Sequence, residues 1–256
     1  MSVPTLILVT LITLCLSLWI RRATWTTTYE RAATINLLLQ GIAVILMSPW
    51  ASQHIGIWLQ HITGWANLED YIAHDAYIVA ASAVAYNALG RVDEGPYLER
   101  SFKLYVEIPA TLAMPLMLVT FALSESTDHY ADDFLQLPTD FWLGAYWLIL
   151  CVTLVHLLGY GCKMLAILRE DPRSTLVADA YLVSCLCGIA ASLIRVLISF
   201  TPGIPPAIGS GAVWLLACAC GAGFAVTGAA SWLGKDKENA EAAVTDDQPP
   251  RRPEPV

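Results

Sequence analysis

Charge is what this sequence has least of. Only 14% of its 256 residues are Asp, Glu, Lys or Arg, while 56% are hydrophobic. Mean hydropathy is +0.56. Soluble domains carry about one quarter charged residues, and a water-soluble fold of this length needs polar residues to cover its surface. That class is excluded, and one membrane domain accounts for nearly the whole chain. Basic residues are missing altogether from 51–67, 124–140 and 199–208. They are missing too before the first apolar run, where a signal peptide would carry them. Arg21 and Arg22 follow that run instead, which fits an uncleaved anchor. No cysteine lies clear of an apolar segment: Cys15, Cys151, Cys162, Cys185, Cys187, Cys218 and Cys220 all fall inside one or at its edge. There is no disulfide framework and no zinc spacing to read, so the thiols serve as small hydrophobes in packed helices.

What is present is a series of seven apolar stretches, each about 20 residues, the length a helix needs to cross a ~30 Å hydrocarbon core. They lie at 4–20, 32–50, 68–89, 104–123, 141–161, 176–198 and 209–232, separated by breakers such as Gly90, Pro96, Pro138, Pro172 and Pro202 to Pro206. The expected fold is an all-α, polytopic bundle of seven transmembrane helices over 1–233. A polar, disordered tail over 234–256 follows it. Lys and Arg collect in cytoplasmic loops because they resist translocation. Arg21, Arg22 and Arg31 follow the first span, Arg91, Arg100 and Lys103 the third, Lys163, Arg169 and Arg173 the fifth, and Lys235, Lys237, Arg251 and Arg252 the seventh. Thirteen of the fourteen basic residues therefore share one side, leaving only Arg195 within a span. The N-terminus is placed outside and the C-terminus in the cytoplasm, in a multi-pass plasma-membrane protein.

Tryptophans at positions 19, 25, 50, 58, 65, 142 and 232 mark span ends, as headgroup-level rings do, whereas Trp147 and Trp214 lie a turn or more deeper. Ile55, Trp58, Leu59 and Ile62 fall at i, i+3, i+4 and i+7, the pattern of a short amphipathic helix in the outer interface. The acidic 124–140 loop, with Glu125, Asp128, Asp132, Asp133 and Asp140, reads as a solvated loop.

Ionisable residues within spans are costly and mark candidate sites. An outer polar cluster comprises Glu69, Asp70, His74 and Asp75 at the start of the third span, with Arg195 of the sixth at a depth to meet Asp75 or Asp70. It could bind a cation, pass protons, hold a polar ligand, or act as an ion pair that fixes packing. An inner cluster comprises Glu107, His156 and Asp179, with Asn36, Gln40 and Asn87 at similar depth. Proton relay is its functional reading, interhelical hydrogen bonding its structural one. His74 and His156 lie near opposite faces and cannot share a metal, so no metal or cofactor is expected. Two Cys-x-Cys pairs, 185/187 and 218/220, point about 200° apart on their helices and cannot chelate as they stand. Ala217, Gly221, Ala225 and Ala229 form a small-residue stripe, suited to a tight contact within the bundle or to a homo-oligomer face. Pro109 and Pro115 predict a kink in the fourth span. The seventh span has no lysine, which removes a retinal Schiff base.

Arg31 with Asn36, and the run Thr63-Gly64-Trp65-Ala66-Asn67-Leu68, resemble seven-helix membrane proteins of actinobacteria and their phages that are assigned to a transporter type. The resemblance implies a transporter-like role and offers no catalytic residues. Beside it stand an interaction or sensor protein, such as a phage-type exclusion factor acting through outer loops and tail, and an intramembrane metal-dependent hydrolase. Bilayer lipid is the expected partner, and nucleic acid is not. Reporter fusions test the map: alkaline phosphatase should be active when fused at 60, 130 or 205 and inactive at 26, 97, 171 or 236.

Overall fold

The computed structural model describes residues 2–26, 28–92, 95–172, 174–201 and 205–246, with 28, 29, 206 and 236–246 described by backbone alone. Within them the chain is all-helical, with no strand. In hydrocarbon, backbone polar groups must be satisfied within the segment, which a helix achieves. Eight helices arise among the described residues: α1 (Val3–Ile20), α2 (Thr28–Leu46), α3 (Pro49–Thr63), α4 (Leu68–Leu89), α5 (Pro96–Ala122), α6 (Phe141–Leu168), α7 (Thr175–Phe200) and α8 (Pro206–Asp246). Helices α1, α5, α6, α7 and α8 are each long and apolar enough to cross a membrane. Helices α2 and α3 qualify together as a pair bent by 59°.

Helix α4 does not qualify, and its surroundings say why it need not. Twelve of its 22 residues are buried, because α2, α5 and α6 pack against it. A helix sheathed by protein requires little lipid-facing surface and can carry Glu69, Asp70, His74 and Asp75. The remaining contacts close a ring, with α1 beside α2, α6 against α7, α7 against α8, and α8 returning to α1. Small residues draw α8 inward. Gly221 faces Gln40 and Thr10, Ala225 is fully buried, and the Ser17 hydroxyl donates to the Ala225 carbonyl at 2.7 Å. For Gly221 and Ala225 the stripe is thus used inside the bundle.

Element ends follow local chemistry. Ser48 caps α3, accepting from the Ala51 N–H at 3.3 Å, with Pro49 in the first turn. The second span accordingly breaks near Met47 rather than running to 50. Helix α5 starts at Pro96 rather than 104, and α6 continues past 161 to Leu168. Inside α5, Pro109 has no N–H for the Tyr105 carbonyl four residues earlier. The helix widens into a π turn at Lys103–Glu107, and His156 meets the Tyr105 oxygen through Nε2 at 2.8 Å. Helix α8 extends to Asp246, so the stretch after 233 read as a disordered tail begins as helix. Residues 247–256 of that tail lie outside the described residues, as do Arg173 and 202–204.

One ion cluster binds the end of the bundle that carries the basic residues. Arg21 is 1% exposed. It donates through Nη2 to Glu30 Oε2 at 2.9 Å and through Nη1 to the Gly228 carbonyl at 2.8 Å. Arg91 and Lys235 both meet Glu30 Oε1. Helices α1, α2 and α8 and the end of α4 are joined by one carboxylate. Removing one member of a buried pair strands the other charge. Glu30→Gln would strand the enclosed Arg21 and should therefore cost about 3–5 kcal/mol, read as a lowered thermal midpoint in detergent. Adding Arg21→Met should recover part of that loss.

Candidate functional site

At the opposite end, α4 begins with a clamp. Gly64 ends α3 in a left-handed conformation (φ 81°), and Asn67 precedes α4 in another (φ 58°). Asn67 is fully buried. Its amide donates to the Ser126 and His129 carbonyls at 2.7 and 2.8 Å, and its oxygen accepts from the Ala131 N–H at 3.1 Å. The neighbouring Ala66 N–H donates to the Thr127 carbonyl at 2.8 Å. This geometry pins the 124–140 loop across the bundle. The loop is more than the solvated segment its acidity suggests. Phe134 and Leu135 are buried, Asp140 caps α6 through the Leu143 N–H, and Asp133 accepts from Ser210 and Gln136.

Beneath this plug lies a cavity of about 100 Å³, lined by residues of α2, α4, α6, α7 and α8 and by Leu135. Its walls are overwhelmingly apolar. His74, Trp147, Arg195 and Trp214 are among the lining residues, and each is almost completely buried. The Arg195 guanidinium carbon stands 4.0 Å above the Trp147 ring, a cation–π contact strengthened by desolvation. Among the described residues, Arg195 Nε and Nη2 and the indole N–H groups of Trp147 and Trp214 have no hydrogen-bond partner. His74 is occupied: its Nδ1 lies 2.7 Å from the Tyr146 hydroxyl, and its ring packs among Phe134, Tyr146 and Trp147.

The outer cluster is divided. His74 and Arg195 meet at the cavity. The expected pairing of Arg195 with Asp75 or Asp70 is not made among the described residues, because the guanidinium turns onto Trp147. Asp75 lies beside the Tyr71 hydroxyl instead. Asp70 is buried with one unpartnered oxygen, and both Glu69 oxygens are unpartnered and buried. Glu69 presses against Gly56, where an added Cβ would collide with the carboxylate. The small face of α3 (Ala51, Ser52, Gly56) therefore covers Glu69, while Trp50, Ile57, Trp58 and Ile62 point outward. His54 stacks on Trp50 at the exposed surface, away from the cavity.

The inner cluster does not assemble. Glu107 is exposed beside the π turn, His156 is taken by the Tyr105 carbonyl, and Asp179 pairs with Arg169 at 2.7 Å. His156 and Asp179 each find a partner on a neighbouring element or turn, and Glu107 faces outward. No group of three His, Cys, Asp or Glu in metal-binding geometry occurs among the described residues.

Sequence reading missed Phe134, Leu135 and Tyr146, and took Asp133 as part of a solvated loop. The available signals were an apolar pair within an acidic loop and two tryptophans, Trp147 and Trp214, too deep for an interfacial belt. Fold and composition together define an all-helical, multi-pass membrane protein. Comparison with protein-family models, with curated proteins and with solved structures returns no match.

Asn67 substitutions test the clamp. Asn67→Ala loses three hydrogen bonds, worth about 1 kcal/mol each, and keeps a Cβ at positive φ without the polar side chain that lets Asn adopt it. Asn67→Gly loses only the hydrogen bonds. Thermal midpoints should rank wild type above Gly above Ala, and limited proteolysis of 124–140 should quicken in the same order.

Proposed function

We propose that this chain is a seven-span plasma-membrane protein, N-terminus outside, working as a transporter-like carrier of a small organic anion held in the cavity beside Arg195. The seventh crossing is α4, whose polar start is sheltered by α2, α3 and the 124–140 loop. The one-sided distribution of basic residues supports the orientation. The resemblance to transporter-type seven-helix proteins points the same way.

One observation carries the choice of ligand. A buried guanidinium with two unpartnered nitrogens, Nε and Nη2, forms part of the wall of an otherwise apolar cavity. Two more indole donors without acceptors lie among the lining residues. Unpaired buried charge is expensive, and a ligand that brings an anionic acceptor with a small apolar body would relieve it. The cavity, about 100 Å³, is smaller than the roughly 150 Å³ that accepts benzene, which sets the scale at short-chain monocarboxylates.

The test is thermal stabilisation of the purified protein by propionate, propionamide and propylamine. Propionate alone should raise the midpoint, by several degrees at millimolar concentration. Arg195→Met should fold and lose that response. Equal stabilisation by propionamide, or a propionate shift that persists in Arg195→Met, would sink the anion reading.

A further inference from the structure

The basic end holds a second feature that the cavity does not explain. A groove of about 860 Å³ lies between the start of α7 and the end of α8, with the ends of α4 and α6 forming its floor. Arg91 and Lys235 enter its lining, Leu168, Val177 and Val226 supply apolar wall, and Ser174 and Ser231 add hydroxyls. Leu176 and Val226, 82% and 59% exposed, continue the apolar surface outward along both helices.

Among the described residues, cations outnumber carboxylates in this cluster. Glu30 is shared by Arg21, Arg91 and Lys235. Arg21 is fully enclosed and spends its donors on Glu30, Thr34 and Gly228. The Arg91 and Lys235 side chains remain 31% and 45% exposed, so among the described residues two cations share one carboxylate oxygen at the groove. Arg169, by contrast, is matched by Asp179. A dissolved anion would use the cations but not the apolar walls. An amphiphile uses both. The groove also sits at the end where the chain gathers its basic residues, and basic pockets between helices at the cytoplasmic face suit anionic lipid headgroups.

We propose that this groove is a binding site for an anionic glycerophospholipid, with its phosphate between Arg91 and Lys235 and an acyl chain along Val177 and Val226. The site stands independently of the cavity and its ligand, since it rests on the Glu30 cluster and the groove alone.

Native mass spectrometry of the full chain, released from detergent with phosphatidylglycerol or phosphatidylcholine of identical acyl chains, tests it. Phosphatidylglycerol should be retained at least fivefold over phosphatidylcholine. Arg91→Gln with Lys235→Gln should bring the ratio near one, while Arg169→Gln should leave it unchanged. Ala230→Trp fills the groove and keeps the ion cluster whole, so its loss of retained lipid would not reflect a broken fold. Equal retention of the two lipids, a preference that survives the double substitution, or no effect of Ala230→Trp would each overturn the proposal. So would displacement of the lipid by millimolar inorganic phosphate, which would reduce the site to an anion patch.

Discussion

The guanidinium of Arg195, stacked on Trp147 in the interior of the bundle, is the constraint that the loop end of the structure answers to. A buried charge needs either a counter-ion or a compensating polarisable surface. Here the ring face supplies part of that compensation. It does not close the hydrogen-bond account of Nε and Nη2. The plug must stay seated for the arrangement to hold, and the Asn67 clamp keeps it there. Phe134, Tyr146 and Trp147 then pack around His74 at the cavity.

The two ends of the bundle use charge in opposite ways. At the basic end, Glu30 gathers three cations and ties four helices, a hydrogen-bonded cluster that joins the ring. At the loop end, Glu69, Asp70 and Arg195 are buried with atoms that have no partner. Proteins that bury polar groups without satisfying them give up stability, and such sites concentrate where ligands or protons are handled. The rigid end and the unsatisfied end are joined by α4, which carries the carboxylates at its start and ends beside Arg91.

Much of the helical frame is legible from hydropathy, because spanning helices must be apolar over their length. The bounds of α4 match the third stretch, and those of α1 and α7 fall within two residues of theirs. The second span is less legible, since Ser48 and Pro49 break it at a cap that hydropathy does not register. The polar residues were legible as unusual but not as partners. Depth along a helix placed Arg195 near Asp75, yet depth says nothing of azimuth, and azimuth put Trp147 in the way. The inner trio failed for a related reason: Pro109 created a bare carbonyl that captured His156. Glu30 escaped notice because it lies just before an apolar stretch, where a carboxylate looks like a solvated loop residue. Its burial depends on α1 and α8 closing over it, a tertiary event.

The side-chain Nε–Hε resonances of arginine-labelled protein test the central claim most directly, with Arg195 assigned by Arg195→Lys. The account predicts an Arg195 signal that is insensitive to Asp75→Asn and that shifts and saturates on titration with propionate. A signal that moves with Asp75→Asn and ignores propionate would show a structural ion pair, and would contradict the account.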